Sequence, residues 1–359
     1  MKRLCLILCL LSLSLTSWGG PVIRWLSEVH DFGLIREDDG KVSCTFRLVN
    51  VGDTALIITS VRTSCGCTAS EFDRAPIAVG DTSSVTVTYN PARRPGSFSK
   101  EIFVFTNAKP NRSMLTICGN VLAGEETLTN RYPVAIGELR LESASMPMGE
   151  VKRGKSRNAY INALNNSADT LIVRFDGAPE HLRPRAIPDT IAPGMSPVLS
   201  VHFLSDLAPH WGLNIDTLRL SVAPIGGPAV TGEVFTMAQV VDDFQKLTDE
   251  QRASAPHIGV STELLNDFTR QRDGTLKATL TVTNTGRNEL EIRRLWCPEA
   301  GVSATAERQS LKCGKKTVVT VTVDPARVET DLLNTQLTII TNDPDNSDKT
   351  IRLATKVQP

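Results

Sequence analysis

Aromatic side chains are scarce: aromatic residues make up 5% of the 359 positions, with only 3 Tyr and 4 Trp. Sugar-binding platforms need exposed Trp and Tyr, so a carbohydrate-binding module is disfavoured. Trp25, Trp211 and Trp296 read instead as packing residues, one per module of the repeat described below. Charge of one sign is missing too. Lys plus Arg and Asp plus Glu number 39 each, which removes any electrostatic pull toward nucleic acid or an anionic membrane. No glycine-rich phosphate loop and no Gly-x-Ser-x-Gly elbow occurs. The five histidines, His30, His181, His202, His210 and His257, are scattered without ligand spacing and read as surface or loop residues. No cofactor and no enzymatic activity are expected from this inventory.

Long apolar runs are also missing, apart from Leu4 to Leu15. That stretch follows Lys2-Arg3 and precedes Ser17-Trp18-Gly19, the pattern of a secretory signal peptide over residues 1–19, cleaved near Gly19–Gly20. It is too short for a standard membrane-crossing helix. The mature chain is therefore expected to be exported, to the periplasm or cell surface, without a transmembrane segment.

What is present is a repeat. Asn50-Val51-Gly52-Asp53-Thr54-Ala55-Leu56 returns as Asn165-Asn166-Ser167-Ala168-Asp169-Thr170-Leu171 and as Asn284-Thr285-Gly286-Arg287-Asn288-Glu289-Leu290. Gly80, Gly194 and Gly314 keep nearly the same spacing, as do Thr106-Asn107 and Thr341-Asn342. A period near one domain length indicates three copies of one module. Within a copy the apolar residues alternate, as in Val42, Cys44, Phe46 and Leu48, with turn signals every eight to twelve residues. The expected fold is all-β: three tandem antiparallel immunoglobulin-like sandwiches over residues 21–123, 133–241 and 256–359. The middle copy is the most divergent. Residues 123–135 read as a polar linker. Residues 242–255 read as a linker with helical character, because Thr248-Asp249-Glu250-Gln251 fits a capping box before Pro256.

Six cysteines lie beyond the leader. Cys65 and Cys67, one residue apart in Ser64-Cys65-Gly66-Cys67-Thr68, suit three readings: structural, soft-metal binding, or redox exchange. A bond between the two is not expected, since that spacing rarely meets disulfide geometry. Cys44 lies on the core face and Cys118 on the face opposite Ile117, so parity keeps them apart. Cys297 and Cys313 flank one loop of the third module and are expected to form a disulfide worth about 3 kcal/mol. Asp-Thr-aliphatic triplets place Thr54, Thr170, Thr190 and Thr217 in a pattern similar to bacterial O-glycosylation acceptors; a turn followed by a strand start accounts for the same residues.

With these residues assembled, the first module resembles the bacterial exported family known as domain of unknown function 1573. The matching positions are Asp31-Phe32-Gly33, Asn50 and Gly52, Cys65-Gly66-Cys67-Thr68, Gly96, Phe98, and Gly119-Asn120-Val121. The third module resembles the same family with Trp296-Cys297-Pro298 in place of the cysteine motif. The resemblance implies an immunoglobulin-like sandwich and export, and no reaction. The function expected is a non-enzymatic interaction or scaffold role in the cell envelope, with another envelope protein as partner. The alternative is a thiol-redox or soft-metal protein acting through Cys65 and Cys67.

Overall fold

The structure, a computed structural model, describes residues 19–357. The leader expected over residues 1–19 lies, but for Gly19, outside the described residues.

Alternation makes the strands. In Val42–Asn50, Cys44, Phe46 and Leu48 are buried while Ser43, Thr45 and Arg47 are exposed. In Lys316–Val323, Thr317, Val319, Val321 and Val323 are buried. A strand with one apolar face must stack on a second sheet, and each module does so. In the first, Ile23–Trp25, Val42–Asn50, Thr82–Tyr89 and Thr68–Phe72 form one sheet, and Val29–Arg36, Arg112–Leu122, Gly96–Thr106 and Ile58–Thr63 the other. The second and third modules repeat this plan with five-stranded sheets. Three hydrophobic cores result, each made of side chains from one module alone.

The expectation of purely antiparallel sheets needs one correction. In every module an early strand runs parallel to the last: Val29–Arg36 with Arg112–Leu122, Ser145–Lys152 with Val230–Val241, and Leu264–Leu265 with Asp348–Lys356. No crossover helix is needed, because the whole module intervenes between the paired strands.

The first linker differs from expectation as well. Residues 123–135 contain a helix, α1, over Glu125–Arg131. Its N-cap is Gly124, which has no side chain to signal a cap. The cap comes from the first module instead, as described below. The helix expected before the third module is present as α2, Asp249–Ala253, after a 3₁₀ turn at Phe244–Lys246. Its capping box is formed: Thr248 Oγ1 accepts from the Gln251 N–H, and Gln251 Oε1 from the Thr248 N–H.

Candidate functional site

The repeated asparagine is a structural clamp. Asn50, Asn165 and Asn284 are all fully buried. In the first module Nδ2 donates to the carbonyls of Thr54 and Ile77, at 2.8 and 3.0 Å, and Oδ1 accepts from the Gly52 N–H at 3.0 Å. The second module repeats these bonds with Asp169, Ile191 and Ser167, and the third with Asn288, Leu311 and Gly286. The asparagine carbonyl accepts in turn from Gly80, Gly194 or Gly314, each at positive φ. Phe32 and Gly33 are likewise structural. Phe32 packs on the first core, and Gly33, at φ 65°, makes the bulge that shifts register between Asp31 and Leu34. Met148 and Gly149 do the same in the second module.

The Cys65-Gly66-Cys67 turn overturns one expectation. The two cysteines are disulfide-bonded, with Cα atoms 5.4 Å apart. That separation lies within the ordinary disulfide range, because the turn folds the chain back between Thr63 and Thr68. Ser64 N–H donates to the Glu101 carbonyl, Thr68 N–H to the Cys65 carbonyl, and Asn90 N–H to the Cys67 carbonyl. Thr63 Oγ1 donates to the carbonyls of Cys65 and Thr68. Both cysteines are half-buried, and the buried Thr68 places Oγ1 3.5 Å from Cys65 Sγ and 3.8 Å from Cys67 Sγ.

The same turn recurs in the other modules. Val302 N–H donates to Glu299 and Asp324 N–H to Gly301; Leu182 N–H donates to Pro179 and Leu204 N–H to His181. Cys65 therefore corresponds to Pro179 and Glu299, and Cys67 to His181 and Gly301. This corrects the third module, where Trp296-Cys297-Pro298 lies two residues short of the cysteine motif's place.

The expected Cys297–Cys313 disulfide is absent; both are free thiols. Leu290 pairs with Leu311, and the strand Leu290–Trp296 then carries the chain away. At about 3.3 Å per residue this leaves Cys297 roughly 20 Å from the turn that holds Cys313. Cys297 packs on the third core and Cys313 is exposed. Cys44 and Cys118 are also free, as parity required. Burial pushes the Cys44 thiol up to about 11. Burial, then Asp31, raises that of Cys118. Of the four threonines in Asp-Thr-aliphatic triplets, Thr54, Thr190 and Thr217 are exposed and Thr170 is half-buried.

Two histidines, both in loops as expected, also make polar contacts. His181 is buried, 2.9 Å from Asp216 Oδ2 through Nε2 and edge-on to Phe203. His257 meets Asp343 and Asp345, with ligand atoms within 4.8 Å of one another. Asp343 is already occupied: Oδ2 accepts from the Ile258 N–H, and Oδ1 from the N–H groups of Asp345 and Asn346. Its carboxylate thus pins a loop. The sequence hid both groupings because 35 and 86 residues separate the partners.

Two joints between modules were also invisible in the sequence. At the first, Glu37 Oε2 accepts from the Gly124 N–H at 2.8 Å, Glu37 Oε1 accepts from Thr127 Oγ1 at 2.8 Å and from the Arg93 N–H, and Asp38 accepts from the Glu125 N–H. The carboxylates cap α1 from outside and favour its positive end. Asn166 of the second module accepts from the Ala123 N–H at 2.6 Å, and Leu164 packs with Ala123 and Tyr132.

At the second joint, Arg294 donates to the carbonyls of Trp211 and Leu213, at 3.0 and 2.6 Å. Arg293 lies 3.9 Å from the Trp211 ring centroid and pairs with Asp242 at 2.6 Å. Gln239 donates to Asp348 at 3.0 Å. Burial raises the Asp348 carboxyl, which also faces Glu150, while hydrogen bonds from Ser347 and Gln239 oppose the rise.

Residues 23–121, the first module, match the family described as protein of unknown function (DUF1573). Residues 257–356 match the HYDIN/CFA65/VesB-like immunoglobulin-like domain. No curated protein matches the chain. Similar solved structures include a protein of unknown function from Porphyromonas gingivalis W83, 18% identical with a TM-score of 0.48, covering 61% of this chain and 100% of that one. Others are the VesB protease of Vibrio cholerae (18%, TM-score 0.23, 28% of this chain and 31% of that) and an ASH/PapD-like domain of human CEP192 (12%, TM-score 0.24, 29% and 86%).

Proposed function

We propose that the chain is an exported, non-enzymatic scaffold of the bacterial cell envelope, located in the periplasm or on the cell surface and engaging another envelope protein. The observation that supports this most is the pair of joints. Modules that act separately need no half-buried arginine or borrowed helix cap between them. Here Glu37 and Asp38 hold α1, and Arg293 and Arg294 hold the third module on Trp211. Fixing modules in register serves to present their surfaces at set positions.

One such surface is the outer face of the second module, where exposed Ile215 sits directly across from exposed Met237, flanked by Phe235 and Pro147. Contiguous apolar side chains in the open are a common mark of a contact surface. The test is crosslinking and pulldown from native envelope, comparing the wild type with an Ile215→Glu, Met237→Glu variant. A discrete envelope partner captured by the first and lost from the second supports the scaffold reading. An identical set captured by both, or recovery of the chain in the cytosol, contradicts it.

A further inference from the structure

The three copies of one turn act as an internal control on the disulfide. The second and third modules close it with the same backbone hydrogen bonds, using Pro179 and His181 or Glu299 and Gly301 where the first has Cys65 and Cys67. The bond is therefore not what shapes the turn. It also constrains little chain, since it joins residues only two apart and disulfide stabilisation grows with the loop enclosed. Both cysteines are half-buried residues in the turn between the strands Ile58–Thr63 and Thr68–Phe72. A hydroxyl that neither other module has at this place, Thr68 Oγ1, lies against both; Leu182 and Val302 occupy its position.

We propose that Cys65–Cys67 is a thiol–disulfide exchange site that accepts the two electrons of a protein dithiol. Cys65 is the sulfur attacked, because Cys67 packs against the first core. A substrate thiolate attacks Cys65 Sγ, the Cys65–Cys67 bond breaks, and Cys67 leaves as a thiolate toward the Thr68 hydroxyl, which donates to it. The second substrate thiolate then attacks the substrate sulfur of the mixed disulfide and releases Cys65. The substrate ends as a disulfide, and its two thiol protons pass, through solvent, to Cys65 and Cys67. One dithiol is oxidised for each bond reduced. The other four cysteines among the described residues take no part: Cys44 is buried in the first core, Cys118 lies against the His30 carbonyl, and Cys297 and Cys313 belong to the third module.

The experiment uses the full chain in glutathione redox buffers, with acid quenching, alkylation and peptide mass analysis. Glutathione is expected to open Cys65–Cys67 reversibly while the unfolding temperature of the first module stays unchanged. A Cys67→Ser, Cys313→Ser variant is expected to hold glutathione on Cys65. Thr68→Val is expected to slow reduction about three- to tenfold, the worth of one hydrogen bond to the departing sulfur. Oxidised chain should also pass its disulfide to reduced, unfolded ribonuclease. The proposal is overturned if the bond resists glutathione at concentrations that open a peptide of residues 62–70. It is equally overturned if reduction lowers the unfolding temperature of the first module, or if Cys65 of the double variant takes up no glutathione.

Discussion

The first joint is held by carboxylates and the second by guanidinium groups, and the two fail in different ways. Glu37 and Asp38 reach from the first module to the start of α1, where unpaired N–H groups wait for any acceptor. Water can take over those positions at modest cost. Arg294 instead fills the space before two backbone carbonyls, and burial disfavours its charge. Water enters there less readily, so removing the side chain strands its partners. The difference teaches that the second and third modules are coupled more tightly than the first and second.

The largest effect expected is on the clamps. Asn284→Ala removes four hydrogen bonds from a fully buried position and should cost about 3–5 kcal/mol. In calorimetry it should lower the unfolding of the second module along with the third, whereas Asn50→Ala should lower the first alone. Equal spread from both would break the comparison.

Next comes Arg294→Met, which strands the Trp211 and Leu213 carbonyls. About 2–4 kcal/mol of coupling should be lost, seen as separation of the second and third thermal transitions. Glu37→Gln should be milder, about 1–2 kcal/mol, seen as faster amide exchange at Gly124 and Glu125 with the second joint unchanged.

The smallest effect is a pH dependence confined to the second joint. The folded-state pKa of Asp348 is raised, chiefly by burial. Its contribution to stability is therefore fully present below the ordinary aspartate range and is lost as pH rises through the folded value. Asp348→Asn keeps an acceptor for Gln239 and should raise the unfolding temperature at neutral pH while leaving it unchanged in acid. An increase of the same size at both pH values would show that charge is not the cause.

Features with local causes were legible in the sequence. Alternation gave the strands, and Thr248 with Gln251 marked α2 because a capping box is written within four residues. The repeat alone singles out Asn50, Asn165 and Asn284. What could not be read depends on partners far along the chain. Glu37 lies 87 residues from Gly124, so α1 looked like a polar linker. Cys297 and Cys313 looked close because they bound one loop, yet the strand between them makes them distant. Spacing alone argues against a Cys65–Cys67 bond, and the fold of the turn from Thr63 to Thr68 supplies what spacing does not reveal.

The account depends on the joints holding the modules in one arrangement. Residual dipolar couplings measured for amides of all three modules in one alignment medium test that most directly. The account predicts a single alignment tensor that fits every module, with the first departing from it in Glu37→Gln and the third in Arg294→Met. Three tensors of different magnitude in the unaltered protein would contradict it.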